Sequence, residues 1–219
     1  MTLGTLLHDA TTGNWFDDAV LHAIQSKVPK GLQIAALHVS DPWVVISLVA
    51  LTAFGCGVRR RWDAVALALA APACAVLASE YVLKPMVHRS NDVVTHELGL
   101  SGTLAFPSGH ETALAAVVSV LGVLLVGSGA QRVVKTAGTI GLAVVLVVAA
   151  TGLVGRFFHY ATDTIGAVAV AAAVTLAAAS GLDAISRPRP DSPSGGHASP
   201  RRRALPLRAS GAAARRRTA

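Results

Sequence analysis

Residues 133–155 read VVKTAGTIGLAVVLVVAATGLVG, a run in which Lys135 is the single charged side chain. A helix needs about 20 mainly apolar residues to cross the hydrocarbon core of a bilayer, and this run meets that need. Four more stretches do the same, near 42–58, 64–83, 110–129 and 160–182. Alanine, valine, leucine and glycine dominate all five, and small residues of this kind let membrane helices approach closely. The fold class read from these runs is all-α: an integral membrane bundle of about five transmembrane helices.

Composition supports the same class. Hydrophobic residues make up 53% and charged residues 14% of the 219 positions, and the mean hydropathy is +0.55. These values do not fit a soluble domain. The net charge of +7 belongs to the tail: residues 187–219 carry nine arginines and one aspartate, and the rest of the chain has ten basic and eleven acidic residues. No aromatic residues interleave with the tail arginines, so nucleic acid is not an expected partner. Cys56 and Cys74 both fall inside apolar runs and read as small buried hydrophobes, not as a disulfide or a metal site.

Outside the spans the chain divides simply. Residues 1–41 form an N-terminal segment, 42–182 the membrane domain, and 183–219 an arginine-rich tail whose Pro, Ser and Gly content predicts disorder from 187 onward. No basic segment followed by an apolar core opens the chain; Asp9, Asp17 and Asp18 stand there instead, so no cleaved signal peptide is predicted. From Trp15, apolar residues recur as Phe16, Val20, Ile24 and Val28, with Asp17, Asp18 and Gln25 elsewhere on the wheel. Asn14 is a natural N-cap with Asp17 in the first turn. This is an amphipathic surface helix, either lying in the membrane interface with Trp15 or resting on the bundle.

Basic residues in short loops set the orientation. Arg59, Arg60 and Arg61 separate the first two spans, Arg132 and Lys135 the next two, and the tail follows the fifth. Helix parity puts these segments on one side, the cytoplasmic one. The segment from Lys84 to His110 and the turn from Arg156 to His159 then share the extracytoplasmic face.

Those two segments hold the chemistry. Pro107-Ser108-Gly109-His110-Glu111 is a capping box, serine followed three residues later by glutamate at the start of an apolar run. The bland reading is a helix start and nothing more. The functional reading uses the same physics: a helix N-terminus offers free N–H groups and a positive dipole end to an anion. Ser108 adds a hydroxyl, Gly109 allows close approach, and His110 can donate a proton. His159 and Asp163 are four apart and share a helix face. A carboxylate on one ring nitrogen leaves the other free to attack. Lys84, Arg89 and Arg156 supply positive charge on the face where topology does not require it; the bland alternative is snorkelling at helix ends. Glu80, four residues before Lys84, reads as its structural ion-pair partner. His88 and His96 lie nearby, but no pair of histidines has metal-ligand spacing.

Together these residues resemble the type 2 phosphatidic acid phosphatase family, which includes the vanadium haloperoxidases. The similarity covers about Glu80 to Val174. Pro107 to His110 matches the central motif in full, His159 and Asp163 match the last one, and Gly166 fits the small residue usual after that aspartate. Two elements depart. The Arg-Pro expected seven residues after Lys84 is Asn91-Asp92, with Arg89 two positions earlier. The Ser-Arg expected before His159 falls at Gly152-Leu153, with Arg156 three residues later, a turn of about 300° on a helix. Family members often have six spans, and the surface helix near 15–28 stands where the first would be.

The resemblance implies a metal-independent, cofactor-free phosphatase acting on a lipid phosphate such as a polyprenyl diphosphate, phosphatidylglycerol phosphate or phosphatidate. By the same resemblance His159 is the nucleophile and passes through a phosphohistidine. Asp163 orients it, and His110 protonates the leaving oxygen and then activates water. Lys84, Arg89, Ser108, Gly109 and Arg156 hold the phosphate. The alternative is a non-catalytic membrane protein that binds anionic lipid through a degenerate site. A haloperoxidase is disfavoured, since those relatives are soluble. Oligomeric state is not readable from the sequence.

Overall fold

The computed structural model describes Leu7, residues 12–90 and residues 104–186. The arginine-rich tail expected to be disordered, and His96, lie outside the described residues. The described chain is all-α. Its helices are α1 (Trp15–Lys27), α2 (Lys30–Leu37), α3 (Pro42–Val58), α4 (Trp62–Leu77), α5 (Gly109–Val126), α6 (Arg132–Gly155) and α7 (Ala161–Ser186). Beyond Leu77, α4 runs on through a π-helical turn, Ala78–Leu83, to a last turn at Lys84–Val87.

Four helical stretches among the described residues are long and apolar enough to cross a membrane: Trp62–Val87, Gly109–Val126, Arg132–Gly155 and Ala161–Ile185. A fifth forms if Lys30–Ser40 and Pro42–Val58, bent by 47° at their junction, are one broken span. On that count the first expected span, 42–58, is the second limb of a bent one. The bend has a local cause. Pro42 opens α3, and the residue before a proline is driven out of the helical region; Asp41 has φ −58° and ψ 139°. The helix at Lys30–Leu37 was not expected, because its apolar residues are too few to register as a span.

α5 is the central helix and touches α3, α4, α6 and α7. Leu114 and Val117 meet Val45 and Ala149; Val120 meets Leu67, Ala68 and Ala71; Ala115 and Ala116 meet Ala75 and Ala171. Lipid tails are as apolar as these side chains, so close van der Waals packing holds such helices together. The fully buried alanines are what permits it. Leu51, Phe54, Val133, Ile140, Val144 and Val147 are exposed, as a lipid-facing surface requires. Trp43 (80% exposed) and Trp62 (69% exposed) sit at opposite ends of the bundle, where indole rings favour the membrane–water interface.

α1 forms as its sequence indicates. The Asn14 side chain accepts hydrogen bonds from the N–H of Phe16 (2.9 Å) and Asp17 (3.1 Å), and Asp17 accepts from the Asn14 N–H at 3.2 Å. The helix rests on α6 and α7, and Trp15 at its start is exposed. One detail reverses the expectation for its polar face: Asp17 is buried.

α2 reaches the bundle through Gly152 of α6. A Cβ there would run into the backbone of Ala36 and Leu37, so glycine is what lets the two helices touch.

Candidate active site

The helix ends at one end of the bundle bring the expected residues together. α4 ends in the turn that carries Lys84, α5 begins at Ser108 and Gly109, and the turn between α6 and α7 carries His159. A cavity of about 1070 Å³ opens among them, and His110, His159, Lys84, Glu80 and Gly109 all line it. Away from these polar groups the walls are apolar: Val45, Ile46 and Val49 from α3 face Leu69, Val76 and Leu77 from α4. Ligand pockets for drug-sized molecules run to about 300–1,000 Å³, so the space far exceeds what one tetrahedral anion needs.

The start of α5 forms a cradle at the polar end of the cavity. Ser108 is the N-cap, and its Oγ accepts from the Glu111 N–H at 3.4 Å. The Thr112 N–H bonds the Ser108 carbonyl at 2.9 Å. No group among the described residues accepts the N–H of Gly109 or His110, two of the orphan donors every helix start leaves. The expected capping box is only half made. The Ser108 N–H donates to the Asp163 carbonyl at 3.2 Å instead, and both Glu111 carboxylate oxygens are buried with no hydrogen-bond partner among the described residues. That Ser108–Asp163 bond ties the start of α5 to the start of α7.

Lys84 faces this cradle. Its Nζ lies 2.7 Å and 2.9 Å from the two Glu80 carboxylate oxygens, the i,i+4 pair the sequence indicates. The structure adds that Glu80 also lines the cavity, and its Oε1 is the nearest atom to where a Gly109 side chain would begin. The carboxylate thus occupies the space beside the helix N-terminus.

His159 and Asp163 are neighbours, but not on a shared helix face as expected: α7 begins at Ala161, and His159 stands in the turn before it. His159 Nδ1 is 3.7 Å from Asp163 Oδ2, too long for a hydrogen bond, and it has no hydrogen-bond partner among the described residues. Nδ1 is buried, so Nε2 is the ring nitrogen left for the cavity. Asp163 Oδ2 also accepts from the Tyr160 N–H at 3.0 Å.

Three expected phosphate ligands stand elsewhere. Arg89 does not line the cavity. Its side chain is fully buried behind Asp163, with Nη1 donating to Asp163 Oδ1 and Thr162 Oγ1 (2.7 Å each) and Nη2 to Asp17 Oδ2 at 3.0 Å. The guanidinium carbon lies 4.3 Å from the centre of the Tyr160 ring. Two carboxylates hold this cation where a substrate does not reach it. Arg156 ends α6, half-buried, and does not line the cavity either. The Ser108 hydroxyl is buried and occupied by the cap.

Sequence reasoning missed Asp17, Thr162 and Tyr160 as parts of this arrangement. Asp17 carried a signal, but that signal was fully explained by the capping box of α1. Gly166 does have a packing reason: a Cβ there would strike the Phe106 ring. Cys56 and Cys74 are unpaired but not buried as expected: Cys56 is half-buried and Cys74 is exposed on the surface of its helix; no group of three His, Cys, Asp or Glu side chains among the described residues could hold a metal ion. Comparison of the chain with known protein families, with curated proteins and with solved structures finds no match.

Proposed function

We propose that this membrane protein is a lipid-phosphate phosphatase working through a phosphohistidine, without a metal. One observation carries the reading: two imidazoles from different helix ends, His110 and His159, line the same cavity, beside a lysine and a helix N-terminus at its polar end and between apolar walls along the rest. A phosphate fits the polar end and a hydrocarbon chain fits the groove between α3 and α4.

The chemistry follows from the ring positions. His159 Nε2 attacks phosphorus, the bond from phosphorus to the lipid oxygen breaks, and His110 gives that oxygen its proton. Water then attacks phosphorus while His110 takes a proton back; the N–P bond breaks and phosphate leaves. Asp163 faces Nδ1 and balances the positive charge that His159 gains. Lys84 and the free N–H groups of Gly109 and His110 stabilise the charge on the phosphoryl oxygens. Arg89 acts through Asp163. The bias of basic residues in the short loops supports a site on the extracytoplasmic side, with the tail in the cytoplasm.

A panel of lipid phosphates, assayed for phosphate release by purified protein in detergent, tests the reading. Release that persists in chelator, stops with vanadate and disappears in His159→Ala is the expected result. Chelator-sensitive release rejects the metal-free mechanism, and full activity in His159→Ala rejects the nucleophile. The second reading, an anionic-lipid binder without turnover, draws on the burial of Arg89 away from the cavity. Saturable binding of a lipid phosphate with no release from any member of the panel selects it.

A further inference from the structure

α7 begins without a capping residue of its own. Tyr160 precedes it, and tyrosine has no short side-chain oxygen to offer the first N–H groups. Asp17, 145 positions earlier in the chain, supplies the cap. Its Oδ1 accepts the Thr162 N–H at 2.8 Å, and its Oδ2 accepts the Thr162 hydroxyl at 3.0 Å and Arg89 Nη2 at 3.0 Å. Arg89 in turn bonds Asp163 Oδ1 at 2.7 Å. Asp17 and Asp163 thus clamp one guanidinium between them, and all three side chains are buried.

The geometry points to Asp17 as a positioning residue for the His159–Asp163 dyad, acting from the N-terminal helix through Arg89 and Thr162. This rests on the phosphatase reading. The physical reason is charge as well as placement. Two carboxylates and one guanidinium leave the cluster with one negative charge in excess, and Asp163 presents it to His159 through Oδ2. Without Asp17, Arg89 has Asp163 as its sole carboxylate, and the guanidinium neutralises the group that must balance His159 during attack. The start of α7 loses its cap at the same time. α1 is therefore part of the catalytic assembly although it contributes nothing to the cavity.

The test uses the full chain in detergent, with Asp17→Asn and, as control, Asp18→Asn, which removes the same charge from an exposed neighbour. Amide-resolved hydrogen exchange reads two sites. The Thr162 N–H reports the cap, and the Tyr160 N–H, bonded to Asp163 Oδ2, reports the catalytic carboxylate independently of turnover. In Asp17→Asn both are expected to exchange about tenfold faster, and kcat on a lipid phosphate to fall about tenfold or more with KM within about twofold. Asp18→Asn is expected to match the unmodified protein on all counts. Should Asp17→Asn not fold, Thr162→Val, which deletes only the hydroxyl link, is expected to move the Tyr160 exchange and kcat in the same direction by about threefold. Unchanged Tyr160 exchange, or an unchanged kcat, overturns the inference. If the unmodified protein releases no phosphate at all, the functional reading fails, and the Tyr160 amide alone decides whether Asp17 positions the carboxylate.

Discussion

Asp163→Asn removes one charge and leaves the side-chain shape. In the proposed mechanism His159 becomes positively charged as its Nε2 bonds phosphorus, and the charge it faces stands 3.7 Å away. At an effective dielectric near 20, two unit charges at that separation attract by about 4 kcal/mol, which corresponds to about a thousandfold in rate. A second effect adds to this. The asparagine amide can turn its NH₂ toward Nδ1, favouring the tautomer that carries its proton on Nε2 and so blocking the attacking nitrogen; in serine proteases the analogous change costs about 10⁴ in kcat. The expected fall in kcat is therefore about 10³ to 10⁴, with little change in KM, because Lys84 and the α5 N-terminus are untouched. Arg89 loses one of two carboxylates, and breaking a buried ion pair outright costs about 3–5 kcal/mol; Asp17 stays in place, so a smaller loss of thermal stability is expected. Single-turnover phosphate release, measured beside helical melting by circular dichroism, checks both. A variant that melts like the unmodified protein and turns over within about threefold of it refutes the dyad.

Lys84→Ala is expected to raise KM about tenfold or more, since it deletes the cation at the polar end of the cavity, whereas Arg156→Ala, whose side chain does not line the cavity, is expected to leave KM within about twofold; equal effects from the two would mean that the phosphate sits nearer the α6 end. Gly166→Leu puts a side chain into the Phe106 ring; overpacking of this kind costs about 1–3 kcal/mol, and a melting temperature unchanged within a degree would show that the contact is slack. Soluble alkyl phosphates of increasing length, kept below their micelle-forming concentrations, are expected to gain about fourfold in kcat/KM per methylene, the equivalent of about 0.8 kcal/mol of apolar burial, until the groove is full; a flat series would remove the groove between α3 and α4 from the substrate site.

The parts of the fold legible in the sequence were those coded by long runs. α6 has one charge, Lys135, in its 133–155 stretch, and no tertiary context can make such a run anything but a buried or lipid-facing helix. His110 was legible because it follows a serine N-cap at the start of a span, and His159 because it stands four residues before an aspartate in the first turn of another. Arg89 was not. It follows His88, whose φ of 51° breaks the helical direction, and after such a turn no periodicity says where the next side chain goes. Asp17 was hidden differently. A first-turn aspartate after Asn14 has a complete local explanation, so nothing in the sequence asks for a partner at Thr162. The bend at Asp41–Pro42 had its signal in the proline; what concealed it was the short apolar content of Lys30–Leu37, which only Gly152 makes room for on α6.

The site has two halves with opposite character, and the difference follows from what each must do. Behind His159, Asp163, Arg89, Asp17 and Thr162 are at most 5% exposed and joined by bonds of 2.7–3.0 Å. Charges so buried are costly to separate, which makes the assembly hard to deform and keeps the counter-charge for the nucleophile in place before substrate arrives. In front, the Lys84–Glu80 pair is partly open, with side chains 16% and 37% exposed, and pairs in that setting contribute only about 0–1 kcal/mol. A phosphate with greater charge than a carboxylate can displace Glu80 from Lys84 at small cost. The polar end offers a free phosphate and a phosphate ester much the same contacts, so the apolar groove supplies the difference between them, and this favours an ester with a hydrocarbon chain over the bare anion it releases.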